Sequence, residues 1–286
     1  MTDHQRLTYT GKLLSRLGAI VLLLVGAAGL AQADCRDVSE RPVCRQGHIR
    51  CVDHVVREMT RRYRHLARRC DHNAIFSLAY LRTTEKYGET ADEIDYEDVS
   101  SVTREDALFA DYYFRAFDAY KQNDLEKVPP AWRIAFDAAK NKSVTSLGNA
   151  FLGFNAHIQR DLPFTLYDLY ERGAEVSEFD HFKVNEFLAQ VDFAQEIIDG
   201  LDPSYPSGGD ASIIFEWRAL AWQNYLALRD APNDEARQVV AAAIEQYAAQ
   251  VAAQYAYFTA YPEGEDSGQR DAFCAQSRPE HPRPGR

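Results

Sequence analysis

Apolar residues recurring at three- and four-residue steps between positions 146 and 170 set most of what this chain can become. The stretch reads SLGNAFLGFNAHIQRDLPFTLYDLY. At about 100° per residue, Leu147, Phe151, Phe154, Ile158 and Leu162 share one narrow face. That spacing predicts a helix with this face turned to a core. His157 and Asp161 are four apart, so they stack on one side of the helix and can reach one atom. They sit at one edge of the apolar face and Asn155 sits at the other. Asn149 and Gly153 continue the His157/Asp161 row backwards, and Gly153 leaves open space beside His157. Pro163 removes a backbone donor and frees the carbonyl near Gln159, which predicts a kink or an end there. An ionised carboxylate at the edge of a core is costly without a partner. That partner is a cation, an Arg or a metal ion.

The other segments carry the same period. Residues 52–69 form a basic helix, with Val55, Met59, Tyr63 and Leu66 on the packed side. Residues 45–70 hold eight Arg, and residues 89–106 hold eight acids and one Arg. The expectation is that this acidic loop folds against the basic helix. Residues 73–87 read as an apolar helix. Thr103 reads as an N-cap, placing Glu105 and Asp106 in a first turn where the helix dipole favours acids. That helix runs to about Gln122 and carries Asp111 among aromatic residues. Asp111 is either an acid of the site or the acceptor of a tyrosine hydroxyl. Pro130 opens a short helix. Ser177 or Asp180 caps another, expected to reach Asp199, and Asp180 and His181 are secondary candidates for a site. Residues 200–209 read as a loop. Two long helices follow, over 211–230 and 234–261. Strand signals and fixed-period repeats are almost absent. The expected fold is all-α, a single-domain bundle of roughly seven to nine helices.

The ends and the cysteines place the chain. Arg6, Lys12 and Arg16 precede an apolar run over 17–30, and Ala31-Gln32-Ala33 has the form of a cleavage site. Residues 1–33 therefore read as a signal peptide and the product as exported (periplasmic or extracellular) and soluble. No other stretch approaches the length of a membrane span. Cleavage removes Arg6, Lys12, Arg16 and Asp3, which moves the net charge from −11 to −13. That balance speaks against nucleic acid as a partner. Residues 34–51 form a cysteine-containing N-terminal segment, 52–262 the helical domain, and 263–286 a Pro-rich, disordered tail. All five cysteines (35, 44, 51, 70 and 274) lie in the exported part, where disulfides form. The simplest arithmetic is two bridges and a free thiol. Cys51 and Cys70, at the ends of one helix, stand roughly 28 Å apart and cannot bond each other. Cys274 can staple the tail back to the N-terminal region.

No Gly-Lys-Ser/Thr phosphate loop, Gly-x-Ser-x-Gly elbow, His-Glu-x-x-His or Cys-x-x-Cys is present. Their absence weighs against nucleotide hydrolysis, common serine esterase chemistry, metalloprotease chemistry and thioredoxin-type redox work.

Gly153, Asn155, Ala156, His157, Ile158, Asp161, Leu162 and Pro163 spell Gly-x-Asn-Ala-His-Ile-x-x-Asp-Leu-Pro. The pattern resembles that of a bacterial family of helical proteins of unknown function. Residues 80–84 (YLRTT), 109–113 (FADYY) and 130–137 (PAWRIAFD) are similar to its accessory motifs, as is Asp180 with Val184-Asn185. The resemblance covers roughly residues 52–200. This chain carries Gln159-Arg160 where the family shows Asn-Tyr. The resemblance implies an all-α fold and a site around His157, Asp161 and Asp111, and it supplies no substrate.

Two readings stand open. In one, the protein is a metal-dependent or acid–base enzyme of hydrolase type. His157 and Asp161 are then catalytic, or ligate a divalent metal together with Asp111. In the other, it is an exported binding or structural protein whose aromatic interior holds a small apolar ligand (a small molecule or lipid) or nothing. His157 and Asp161 then belong to a buried hydrogen-bond network.

Overall fold

The computed structural model describes residues 37–208 and 212–277. The predicted signal peptide and Cys35 lie outside the described residues. A 3-10 turn at Val38–Glu40 leads into α1 (Pro42–Arg45), α2 (Cys51–Ala67), α3 (Ala74–Thr90), α4 (Val99–Lys121) and α5 (Pro130–Asn141). Then comes one uninterrupted helix in three parts: α6 (Ser146–Phe154), a π-helical segment (Asn155–Asp161) and α7 (Leu162–Glu171). Three short helices follow, α8 (Glu178–Lys183), α9 (Asn185–Leu188) and α10 (Ala194–Gly200). The chain continues with α11 (Ser212–Arg229), α12 (Asp234–Phe258) and α13 (Gly268–Ser277). Among the described residues there is no strand, only an isolated bridge between Val144 and Ala260. The fold is all-α. No helix among the described residues is long and apolar enough to cross a membrane.

The three-part helix is the axis of the molecule. It is buried on most of its circumference, with Leu152, Asn155, Ala156, Asp161 and Leu162 all fully enclosed. Its π segment packs against α4, α5, α11 and α12. Expectation and structure differ here, because the segment around His157 widens into π turns and the Leu162 N–H donates to the carbonyl of His157, five residues back. A proline within a regular α-helix collides with the carbonyl four residues before it. The widened segment ends just before Pro163, where that collision falls, so the helix passes the proline without breaking. π turns are rare and often mark sites.

Several local expectations are corrected. Helix α4 starts at Val99, one turn earlier than Thr103, because Asp98 caps it by accepting the Ser100 N–H at 2.9 Å. The predicted helix over 180–199 is divided into α8, α9 and α10, which raises the helix count. The acidic loop is tied elsewhere than to α2. Asp180 accepts the backbone N–H groups of Glu97 and Asp98 at 2.7 and 2.9 Å. On α2, Arg62 instead forks onto Asp118 of α4 at 2.6 and 2.7 Å.

Two disulfides close the fold, Cys44–Cys51 and Cys70–Cys274. The second ties α13 to the end of α2. In place of a disordered tail from residue 263, α13 is docked. Arg270 is buried and donates to Asn149 at 2.8 Å. Asp271 takes His72 at 3.0 Å and Lys142 at 2.7 Å.

Candidate functional site

Asp161 is fully buried and its carboxylate is held on three sides. Oδ2 accepts the indole N–H of Trp132 at 2.8 Å and faces Nδ1 of His157 at 3.1 Å. Oδ1 accepts from Arg160 at 3.0 Å, and Arg160 also reaches Glu245 at 2.7 and 2.8 Å. The cation that the buried carboxylate requires is Arg160, its neighbour in the chain. The π segment lets both side chains reach inward. Asn155 extends the network by donating to the carbonyl of Ala248 at 2.9 Å and accepting from Gln159 at 2.8 Å.

His157 is 3 % exposed, and burial holds its pKa below the ordinary histidine value despite the Asp161 carboxylate. The neutral ring then carries its proton on Nδ1, toward Asp161. Nε2 is buried and has no partner. The ring lies flat on Phe109, with centroids 3.5 Å apart, and Tyr80 closes on it at 4.3 Å. Gly153 does not leave open space beside it. Phe76 occupies that space, in contact distance of the glycine Cα, and its ring meets His157 edge-on.

Asp111 does not join this group. Its two oxygens accept the N–H groups of Val38 and Ser39, each at 2.8 Å, so it anchors the N-terminal turn. Burial pushes its pKa up to about 6. Its tyrosine neighbour Tyr112 bonds Asp168 instead, at 2.7 Å. Among the described residues, no group of three or more His, Cys, Asp and Glu side chains is placed to hold a metal ion. The metal triad of His157, Asp161 and Asp111 is thereby corrected: one of its members is engaged elsewhere and another is enclosed by three donors.

Beside the His157 ring lies a cavity of about 270 Å³. Leu147, Phe151, Phe154 and Ile158, the predicted apolar face, form one wall. Tyr80, Tyr87 and Phe109 of α3 and α4 form a second, and Val184, Phe187, Leu188 and Val191 a third. The periodicity is right about the face and wrong about what it meets, since part of the face borders an opening instead of packed side chains.

Four charged residues also line this cavity, Glu105, Asp106, Asp192 and Arg218, and the sequence pattern points to none of them as site residues. Glu105 is 5 % exposed and its Oε2 has no partner; burial pushes its pKa up to about 7. Asp106 has an unpartnered Oδ2, and burial with Glu105 beside it pushes its pKa up to about 8. Arg218 of α11 is 4 % exposed and its Nη2 donates to the carbonyl of His181 at 2.6 Å. With Thr103 as the cap, the two acids read as first-turn residues. With the start at Asp98, both precede Phe109 by one helical turn and share its inward face.

The family model that describes residues 52–257 is a family of unknown function, DUF5995. The chain belongs to this family. No curated protein and no solved structure matches it. The DUF5995 match takes in every cavity residue named above, the π segment, α11 and all but the last residue of α12. It leaves out the Cys44–Cys51 bridge and α13, so the cavity and its Asp161 support fall within the family region, whereas of the four bridged cysteines only Cys70 does.

Proposed function

We propose that this is an exported binding protein whose aromatic cavity takes one small, largely apolar molecule. His157 and Asp161 act as the buried network that braces the cavity wall. The observation that carries this reading is the cavity itself, about 270 Å³ and walled mainly by aromatic and aliphatic side chains. An apolar cavity of about 150 Å³ suffices for a benzene-sized guest, so this one suits a ring with a short substituent. The state of His157 points the same way, since burial holds its pKa down and Phe109 and Tyr80 pack on its ring. Export is supported by the two disulfides, which persist in oxidising compartments.

The test is calorimetric titration with 2-phenylethanol, beside a Leu188→Trp variant that fills the cavity from the α9 side. Saturable binding by the parent and its loss in a variant of unchanged helicity are the expected results. Absence of binding in the parent, or equal binding in both, overturns the reading.

A further inference from the structure

The polar groups of the cavity are not spread evenly. Glu105, Asp106 and the Tyr80 hydroxyl come from the adjoining faces of α3 and α4, whereas residues 184–191 bring an apolar wall. The Tyr80 hydroxyl is buried without a partner, as are one oxygen of Glu105 and one of Asp106. Buried polar atoms in native proteins are nearly always satisfied, so three orphans on one cavity wall indicate a group that arrives from outside.

The charge count says which kind. The ionisable groups lining the cavity are Glu105 and Asp106 on α4, Tyr80 and Tyr87 on α3, His157, Asp192 and Arg218. His157 is neutral, and Asp192 is exposed and accepts the Ala194 N–H at 3.0 Å, just before α10. Arg218 is fixed to α8 and α9 by His181 and Asn185, and its charge acts favourably on Glu105. One buried and one part-buried carboxyl against one guanidinium leave Asp106 over, with no cation acting on it. The rings of Tyr80, Tyr87 and Phe109 lie on the same two helices. A carboxylate flanked by aromatic faces attracts an ammonium group by ion pairing and by the ring quadrupoles together.

We infer that the cavity, if it binds small molecules as proposed above, selects an organic cation, a primary amine on an aromatic or short alkyl body, with Asp106 as its counter-ion. The ammonium sits at the α3–α4 wall, where Tyr80 and Glu105 offer their unpartnered oxygens. The apolar body extends toward Val184, Phe187 and Leu188. Binding takes a neutral Asp106 carboxyl and a protonated amine to a carboxylate–ammonium pair, and the carboxyl proton passes to the buffer.

The experiment titrates the full exported chain with three probes of one shape: 2-phenylethylamine, 2-phenylethanol and 3-phenylpropionate. Titrations run near pH 7 in phosphate and in Tris, whose ionisation heats differ. The amine should bind at least tenfold tighter than the alcohol and release a fraction of a proton up to one; the alcohol should release none. Asp106→Asn should remove the amine's advantage and its proton release while alcohol binding stays within a few-fold. Glu105→Gln, a second variant, should keep proton release on amine binding. Equal affinity for amine and alcohol in the parent overturns the inference and leaves the cavity reading standing. Tightest binding of the carboxylate makes Arg218 the counter-ion and overturns it too. If none of the three binds, both readings fall.

Discussion

The imidazole of His157 lies on the ring of Phe109 with its plane 7° from parallel and the centroids 3.5 Å apart. This contact joins the two halves of the site. Phe109 stands one turn from Glu105 and Asp106 on α4, and His157 is pinned from behind by Asp161. The position of the cavity's polar wall therefore depends on the network around Asp161.

Removing the Asp161 carboxylate leaves the indole N–H of Trp132, Nδ1–H of His157 and part of Arg160 buried without an acceptor. Breaking a buried charged network from one side costs about 3–5 kcal/mol. Asp161→Ala is expected to lose stability in that range by urea denaturation. His157→Phe keeps the stacking and removes one hydrogen bond, so its loss should be about 1–2 kcal/mol. Equal losses from both substitutions would show that the His157–Asp161 hydrogen bond, and not the carboxylate's contacts with Trp132 and Arg160, holds the segment.

Gly153 is needed for close approach. A methyl group there would collide with the Phe76 ring, which also touches Tyr113, Trp132 and Phe154 edge-on. Gly153→Ala should therefore destabilise by about 1–3 kcal/mol through overpacking, although alanine is the better helix former by about 1 kcal/mol. Adding Phe76→Leu should recover part of the loss in a double-mutant cycle. Additive losses would place the cost elsewhere in the helix.

The period of the apolar residues suffices to read the all-α fold, because every long helix carries its buried stripe in its own sequence. The His157–Asp161 contact is legible for the same reason, being local. What is not legible depends on contacts between distant segments. Asp111 lies among aromatic residues in sequence, yet it binds amides more than seventy positions away. Glu105 and Asp106 hinge on a single cap, since a one-turn change in a helix start turns first-turn acids into residues that line the cavity. The division of the helix predicted over 180–199 follows from Val184, Phe187 and Leu188 facing a cavity that no local pattern reveals.

The Cys70–Cys274 bridge closes most of the chain into one loop, with a sequence separation of 204 residues. Such a closure is worth about 2–5 kcal/mol, mainly through the unfolded state. Replacing both cysteines with serine should lower stability by that amount and expose α13 to limited proteolysis. The Cys44–Cys51 bridge, with a separation of 7, should contribute less. Retention of α13 against protease after loss of the bridge would assign its docking to Arg270 and Asp271 alone.

Asp106 sets a pH signature. Its folded pKa, about 8, is raised above the ordinary 3.8, as that of Glu105 is raised from 4.5 to about 7. A raised acid contributes stability that is complete below its unfolded pKa and is lost as pH climbs through the folded value. Buried histidines act in the opposite sense. Burial lowers the pKa of His157, His181 and His72, the last to about 4. Their contribution is present above about 6.5 and is lost as pH falls. The parent's own profile mixes both effects, so the difference between Asp106→Asn and the parent is the quantity to measure. Relative to the parent, the variant should gain stability steadily between pH 5 and pH 8. Raising a pKa by one corresponds to about 1.4 kcal/mol, which makes the gain a few kcal/mol in urea denaturation. A difference that stays flat over this range means that Asp106 is ionised throughout, and the neutral carboxyl on the α3–α4 wall must be given up.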